Sequence, residues 1–308
     1  EASNAESYTF RLELFDEATG KYSTAIEKAG IVKSTYTPAI ALQKNAVYRW
    51  SVTAVNSAGS VKGQGIDGTE ANVFMSPIDA KNHPANKGLN FSFSGSMTKE
   101  VLCNYLSRSV IYSDEGRDGY GLSGDETSRF ILHTGAKYIG RASTIWSPSA
   151  GDVDVIAARK KELEAVHKLD PDVIFEACIF ECVNKNGING IPIPAWVFTA
   201  FGKQPENRNF RYEDMVFADG RYKDQWGADS SVPDMTREET QMLFYYRARL
   251  FIDAGYEGLH MGQVHLIGKN DTGWRCWTKV LNMIRDYAKT HARRKFVLIN
   301  AHTHGIIG

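Results

Sequence analysis

Two segments near the N-terminus alternate apolar and polar positions. In YTFRLELF, Tyr8, Phe10, Leu12 and Leu14 alternate with Thr9, Arg11 and Glu13; in YRWSVTAVN, Tyr48, Trp50, Val52 and Ala54 alternate with Arg49, Ser51 and Thr53. A period of two with one apolar face predicts half-buried strands. Asp16, Gly20, Gly30, Asn45 and Gly59 punctuate these runs as turn formers. No helical period intervenes, so residues 1–75 are expected to form a small antiparallel β-sandwich.

Residues 76–96, SPIDAKNHPANKGLNFSFSGS, are rich in Pro, Asn, Gly and Ser and read as a linker in which LNFSFS is a short strand. From residue 97 to 308 the pattern changes. Strand-like runs (LCNYLSRSVIY, AKYIGRAS, DVIFEACIFE, YEGLHMGQVHL, KFVLINAHTH) alternate with helical ones (SGDETSRFILHTG, DVDVIAARKKELEAVHKLD, TREETQMLFYYRARLFIDAG, TGWRCWTKVLNMIRDYAKTHA). Asp125 marks a helix start, Thr236 with Glu239 reads as a capping box, and Gly135 and Gly255 read as helix stops. Alternating strands and helices imply a parallel sheet with right-handed crossovers. The candidates are a doubly wound sheet and a TIM-type (β/α) barrel. The barrel is favoured because no glycine-rich turn follows the first strand. Polar and aromatic residues also crowd the strand ends, in SDEGRDGYG, RASTIW, FECVN, GQVHL and NAHTHG. Five strands are visible and a closed barrel needs about three more β/α units. The expectation is therefore a barrel cut at both chain ends, with an open five-stranded sheet as the other outcome.

Composition narrows the partners. Lysine plus arginine equals aspartate plus glutamate at 36 each, so the balance gives no reason to expect nucleic acid or an anionic membrane. No apolar run approaches the roughly 20 residues that cross a bilayer, so no membrane span is expected. EASNAESYTF lacks a basic-then-apolar leader, so an export signal is expected to be removed or to lie outside this chain. Cys103, Cys178, Cys182 and Cys276 are scattered and read as buried thiols.

The candidate chemistry centres on IFEACIFECV. Strand alternation points Glu176 inward with Ile174, Cys178 and Phe180, and leaves Glu181 at the C-terminal mouth. An inward carboxylate needs a cation or donors, and Arg141 and Arg108 stand on neighbouring runs. Three readings stay open: an Arg–Glu structural network, a general acid or base at Glu176 or Glu181, and a satisfied carboxylate without a role. Trp146, Trp196 and Trp226 all fall in loops on the presumed mouth side, and the stretch from Cys182 to Asp234 is long enough to be functional. Flat aromatic faces stack on sugar rings while carboxylates work at the anomeric carbon.

Two resemblances add to this reading. ESYTFRLELFD with STYTPAIALQKNAVYRWSVTAVNSAGS, over about residues 6–72, resembles a fibronectin type III module of bacterial extracellular enzymes. Almost no chain precedes Tyr8 to supply that module's first strands, so the chain is expected to begin inside it. Residues 97–308 resemble bacterial polysaccharide-degrading (β/α)-barrel glycoside hydrolases. The resemblance implies an exported protein, extracellular, cell-surface or periplasmic, acting on an oligo- or polysaccharide without a cofactor or metal. Glu181 and Glu176 are then the catalytic candidates. Trp146, Trp196, Arg141, Gln263, His265, Asn300 and His302 are the candidates for holding substrate. The fourth visible strand departs from the family in carrying Gln263 and His265 where an acid/base glutamate is usual. LINAHTHG supports a competing class, a metal-dependent amidohydrolase, with His302 and His304 sharing an ion and His260, His265 and Asp114 as further ligands. A third class is a non-catalytic carbohydrate-binding surface protein.

Overall fold

The computed structural model describes residues 4–64, 71–76, 79–111 and 124–302. The chain divides into two compact units, Glu1–Lys87 and Gly88–Gly308.

In the first unit, β1 (Ser7–Asp16), β2 (Lys21–Ile31), β3 (Val47–Asn56), β4 (Gly59–Lys62) and β5 (Asn72–Met75) form one antiparallel sheet. Its order is β2-β1-β3-β4, with β5 also pairing β3. Leu12 pairs with Trp50, Phe10 with Val52 and Tyr8 with Ala54, so the apolar sides of β1 and β3 coincide. Both strands are half-buried as the period of two predicts. The expected sandwich is not formed: all five strands join one sheet, and no second sheet faces it among the described residues. The apolar face and the segment 33–42 line a cavity of about 770 Å³, whose walls include Phe10, Tyr36, Ile40, Trp50 and Phe74.

The second unit begins with α1 (Lys99–Ser107), β6 (Ser109–Ile111), α2 (Gly124–Thr134), β7 (Tyr138–Ser143), α3 (Asp152–Leu169) and β8 (Ile174–Cys178). An excursion follows, with β9 (Val183–Asn184), α4 (Lys185–Asn189), α5 (Ala195–Ala200) and β10 (Ser230–Ser231). The chain then returns through α6 (Glu238–Ala254), β11 (Gly258–His260), α7 (Val264–Ile267), α8 (Arg275–His291) and β12 (Leu298–Asn300). The five main strands are parallel and lie in the order β12-β11-β8-β7-β6.

That order corrects the barrel. The sheet is open, with β6 and β12 as its edges and no ladder joining them among the described residues. It is not doubly wound either, because the strand order never reverses. Right-handed crossovers between sequential neighbours put the helices on one face. Ile139, Phe175, Ala177 and Leu259 accordingly share a buried cluster with Ile156, Leu163, Phe244, Phe251 and Ile284 of α3, α6 and α8. On the other face Tyr138 and Ile174 bury against Phe91, Val101 and Tyr105, so α1 covers the N-terminal half of that face. The C-terminal half keeps its polar residues.

Several local expectations change. LCNYLSRSVIY is helix before it is strand: Thr98 Oγ1 accepts the Val101 N–H as a cap, and Val101 and Tyr105 bury one helix face. Thr236 does not cap α6; its hydroxyl donates to Asp234, and Glu239 accepts from Arg208 and the Arg211 N–H. Gly255, at φ 102°, does end α6. Cys178 and Cys182 are buried thiols, whereas Cys103 is exposed. The stretch after β8 is a packed excursion with its own core (Ile188, Phe198, Phe210, Met215) against Met242 and Tyr246 of α6. No helix among the described residues is long and apolar enough to cross a membrane.

Buried charges fix the base of the sheet. Glu257, 1% exposed, accepts from Arg293 Nη2 and from the backbone and guanidinium of Arg294. His167 donates from Nε2 to the Val173 carbonyl at 3.0 Å, since a carbonyl only accepts. Burial, with Arg293 nearby, holds its imidazole down at about 3. A histidine with a depressed folded value contributes stability that is whole above its unfolded value near 6.5 and is lost as pH falls toward 3. Between pH 7.5 and 4.5 this one group should cost about 2–3 kcal/mol. Urea unfolding of wild type and His167→Gln at both pH values measures it: the variant should lose less stability across the interval.

Candidate functional site

At the C-terminal ends of β7, β8, β11 and β12 the face opposite α3, α6 and α8 gathers Arg141, Glu176, His260, Asn300 and His302. Glu176 is 4% exposed on β8. Its neighbour Gly258 leaves it room, since a Cβ there would come within 3.0 Å of both Glu176 Cβ and the Tyr138 hydroxyl. Glu176 Oε1 accepts from the Tyr138 hydroxyl and Asn300 Nδ2, and Oε2 accepts the Arg141 backbone N–H at 3.0 Å. The expected Glu176–Arg141 ion pair is therefore replaced by a backbone contact. Arg141 has φ 57°, a left-handed conformation unusual inside a strand, and the β7–β8 register slips between Ile139 and Ser143. The irregularity turns the Arg141 N–H toward Glu176 and sends its guanidinium to His302 Nε2 at 3.1 Å. No carboxylate pairs with that guanidinium among the described residues. Arg108, the other expected partner, is the C-cap of α1 and donates to the Thr134 carbonyl.

The Tyr138 phenol is pushed far above its ordinary value by burial and by the Glu176 charge, so it acts as a donor. His302 is lowered by burial first and then by His260 beside it. The two rings lie 4.8 Å apart. Both facts keep His302 neutral and able to accept from Arg141.

Glu181 lies past the end of β8, where strand alternation no longer applies. It is 1% exposed. Oε1 accepts from Gln263 Nε2 at 2.7 Å and Oε2 from the Gln263 backbone N–H at 3.1 Å. Gly262 makes this cradle. Its φ is 68°, and a Cβ there would stand 2.1 Å from Glu181 Oε2. Gly262→Ala should thus strain the backbone by about 1–3 kcal/mol and expel Glu181 from its seat. Unfolding measurements together with a structure of the variant check both effects; an unmoved Glu181 would contradict them.

Beside Glu181 stands an aromatic ledge. Trp146, 42% exposed, packs against Phe180 at 5.0 Å and Trp226 at 5.3 Å between ring centres. Trp226 Nε1 donates to the Glu181 carbonyl. The buried guanidinium of Arg247 donates to the Ile145 carbonyl and so holds the Trp146 loop from behind. Phe180 continues to His260 at 6.0 Å. Rings therefore run without a break from Trp226 through Trp146, Phe180 and His260 to His302, with Arg141 at the end.

Not every expected residue joins this site. Trp196 lies on α5, stacks on Tyr246, and has Arg249 over its ring at 3.8 Å; its indole is occupied in packing. His265 lies on α7. Asp114 and His304 lie outside the described residues. No group of three or more potential metal ligands occurs among the described residues. Cys182 is pushed up to about 11, mainly by burial, and stays a thiol. Sequence reasoning missed Tyr138, Phe180 and Gly262 as site residues. Phe180 was readable from its place two positions beyond Cys178, whereas Tyr138 depends on the register of β7 with β8. No family model matches the chain, and no curated protein is significantly similar to it.

Proposed function

We propose that the parallel-sheet unit is a carbohydrate-active enzyme that hydrolyses glycosidic bonds of an oligo- or polysaccharide. The observation that carries this is the exposed Trp146, which sits on an aromatic ledge joined to Glu181 through Trp226 and leading through Phe180 and His260 toward Glu176. In this reading Trp146 stacks on a sugar ring, Arg141 and His302 bind hydroxyls, and Glu181 is the working acid or base. Gln263 holds the Glu181 carboxylate and moves with the incoming sugar. An exported location, at the cell surface, in the periplasm or outside the cell, follows from a polymeric substrate. The burial of Glu181 favours a second reading, saccharide binding without cleavage. The amidohydrolase reading loses support because the His302 Nε2 lone pair faces a guanidinium.

Tryptophan fluorescence titrated with a panel of soluble polysaccharides tests the reading. At least one should change the emission, and Trp146→Ala should weaken that binding roughly tenfold, a stacking contribution of about 1–1.5 kcal/mol. Equal affinity in the variant would remove Trp146 from the site.

A further inference from the structure

His260 ends β11 and is 6% exposed. Its two ring nitrogens differ. Nδ1 meets Asn300 Oδ1, while Nε2 is buried and has no hydrogen-bond partner among the described residues. The contacts behind it fix the tautomer. The Arg141 N–H can only donate, so Glu176 Oε2 accepts; Oε1 takes the Asn300 amide N–H. That sets the Asn300 amide with its NH2 toward Glu176 and its oxygen toward His260. An amide oxygen cannot donate, so the proton of the Asn300–His260 bond sits on Nδ1. Nε2 is left as a lone pair facing no donor. Such a buried acceptor is costly to leave unpaired, and native structures keep few of them.

His302 makes the contrast plain. A guanidinium only donates, so His302 Nε2 accepts from Arg141 and its proton is also on Nδ1. The two neighbouring imidazoles, tilted 58° to each other, thus share one tautomer. One lone pair is occupied by Arg141, the other is open.

We infer that His260 Nε2 is the acceptor for a hydroxyl of the bound sugar, in the tautomer that Glu176 imposes through Asn300, while Arg141 donates to a neighbouring oxygen of the same ligand. The inference deepens the saccharide reading and rests on it for the class of ligand. It makes Glu176 a positioning residue. Donor and acceptor are bridged by a single ring, His302, which suits the adjacent oxygens of one sugar unit. Phe180 and His302 pack against the His260 ring, and the partly exposed His302 is the ring that turns aside.

The relay can be tested without any sugar. Nitrogen-15 NMR of ring-labelled protein reads the tautomer directly. Wild-type His260 should show a protonated Nδ1 and a bare Nε2. In Glu176→Gln the Arg141 N–H still demands an oxygen, so the new amide NH2 faces Asn300. The Asn300 amide then turns over and the His260 proton moves to Nε2. Asn300→Ala, which removes the intermediary without touching Glu176, should give a mixture of tautomers. Dispersed amide spectra in both variants certify folding. A protonated Nε2 in wild type, or an unchanged tautomer in both folded variants, would overturn the relay. The ligand arm adds cellobiose, laminaribiose and xylobiose to wild type. A disaccharide that quenches tryptophan emission should also shift the His260 Nε2 resonance, and Glu176→Gln should weaken its binding about tenfold or more. Quenching with no shift at Nε2 would overturn the acceptor role and leave the saccharide reading standing. Absence of quenching by these three and by the polysaccharide panel would sink the saccharide reading itself, with the tautomer result judging the relay separately.

Discussion

Asp170→Ala should destabilise the parallel-sheet unit by about 3–5 kcal/mol. Lys137 precedes β7 and its side chain is 1% exposed. Its ammonium lies 2.8 and 2.6 Å from the two Asp170 oxygens, and the Phe91 ring is 5.1 Å away. Asp170, C-cap of α3, also accepts the Asp172 N–H. One pair thus ties the end of α3 to the start of β7, beneath the strands that carry Arg141 and Glu176. Removing the carboxylate strands a buried ammonium, and that penalty, more than the lost attraction, sets the magnitude. Replacing both partners together, as Lys137→Met with Asp170→Leu, should recover most of the loss. Urea unfolding of the two variants checks this: a loss below about 1 kcal/mol in the single variant would mean that water reaches Lys137.

Glu181→Gln should lower turnover by about 100-fold or more while leaving the fold within about 1 kcal/mol of wild type. The environment of Glu181 allows this separation. Its Oε2 faces a backbone N–H that must donate, so the glutamine oxygen takes that place. Its Oε1 faces the Gln263 side-chain amide, which accommodates an NH2 by turning over. Nothing is stranded, and the charge alone is lost. Turnover against a cleaved polysaccharide, with unfolding beside it, gives the two readouts. Retained turnover would take the chemistry away from Glu181.

The sequence was legible where local pattern decides structure. AKYIGRAS and DVIFEACIFE contain β7 and β8, and the alternation in DVIFEAC put Phe175 and Ala177 on the helix side and Glu176 on the other, as found. It failed where a contact between distant segments decides. LCNYLSRSVIY has the aromatic and β-branched content of a strand, yet Val101 and Tyr105 stand four apart and bury against Phe91 and Ile174. The barrel was inferred from polar strand ends, and an open parallel sheet carries its polar residues at the same ends. Only the pairing of the edge strands distinguishes the two. The Glu176–Arg141 ion pair was a sound inference from opposite charges on adjacent strands. The register slip in β7 turned it into a backbone contact, and nothing in YIGRAS announces a left-handed arginine. In the first unit both strand periods were correct, but a period of two does not say whether a second sheet covers the apolar face.

Reducing-sugar release from a panel of plant, algal and bacterial polysaccharides tests the central claim most directly, with wild type, Trp146→Ala and Glu181→Gln measured in parallel. Wild type should cleave at least one polymer, Trp146→Ala should cleave it with a raised KM, and Glu181→Gln should bind it without cleaving. Cleavage by Glu181→Gln at the wild-type rate, or a panel that wild type neither cleaves nor binds, would contradict the account.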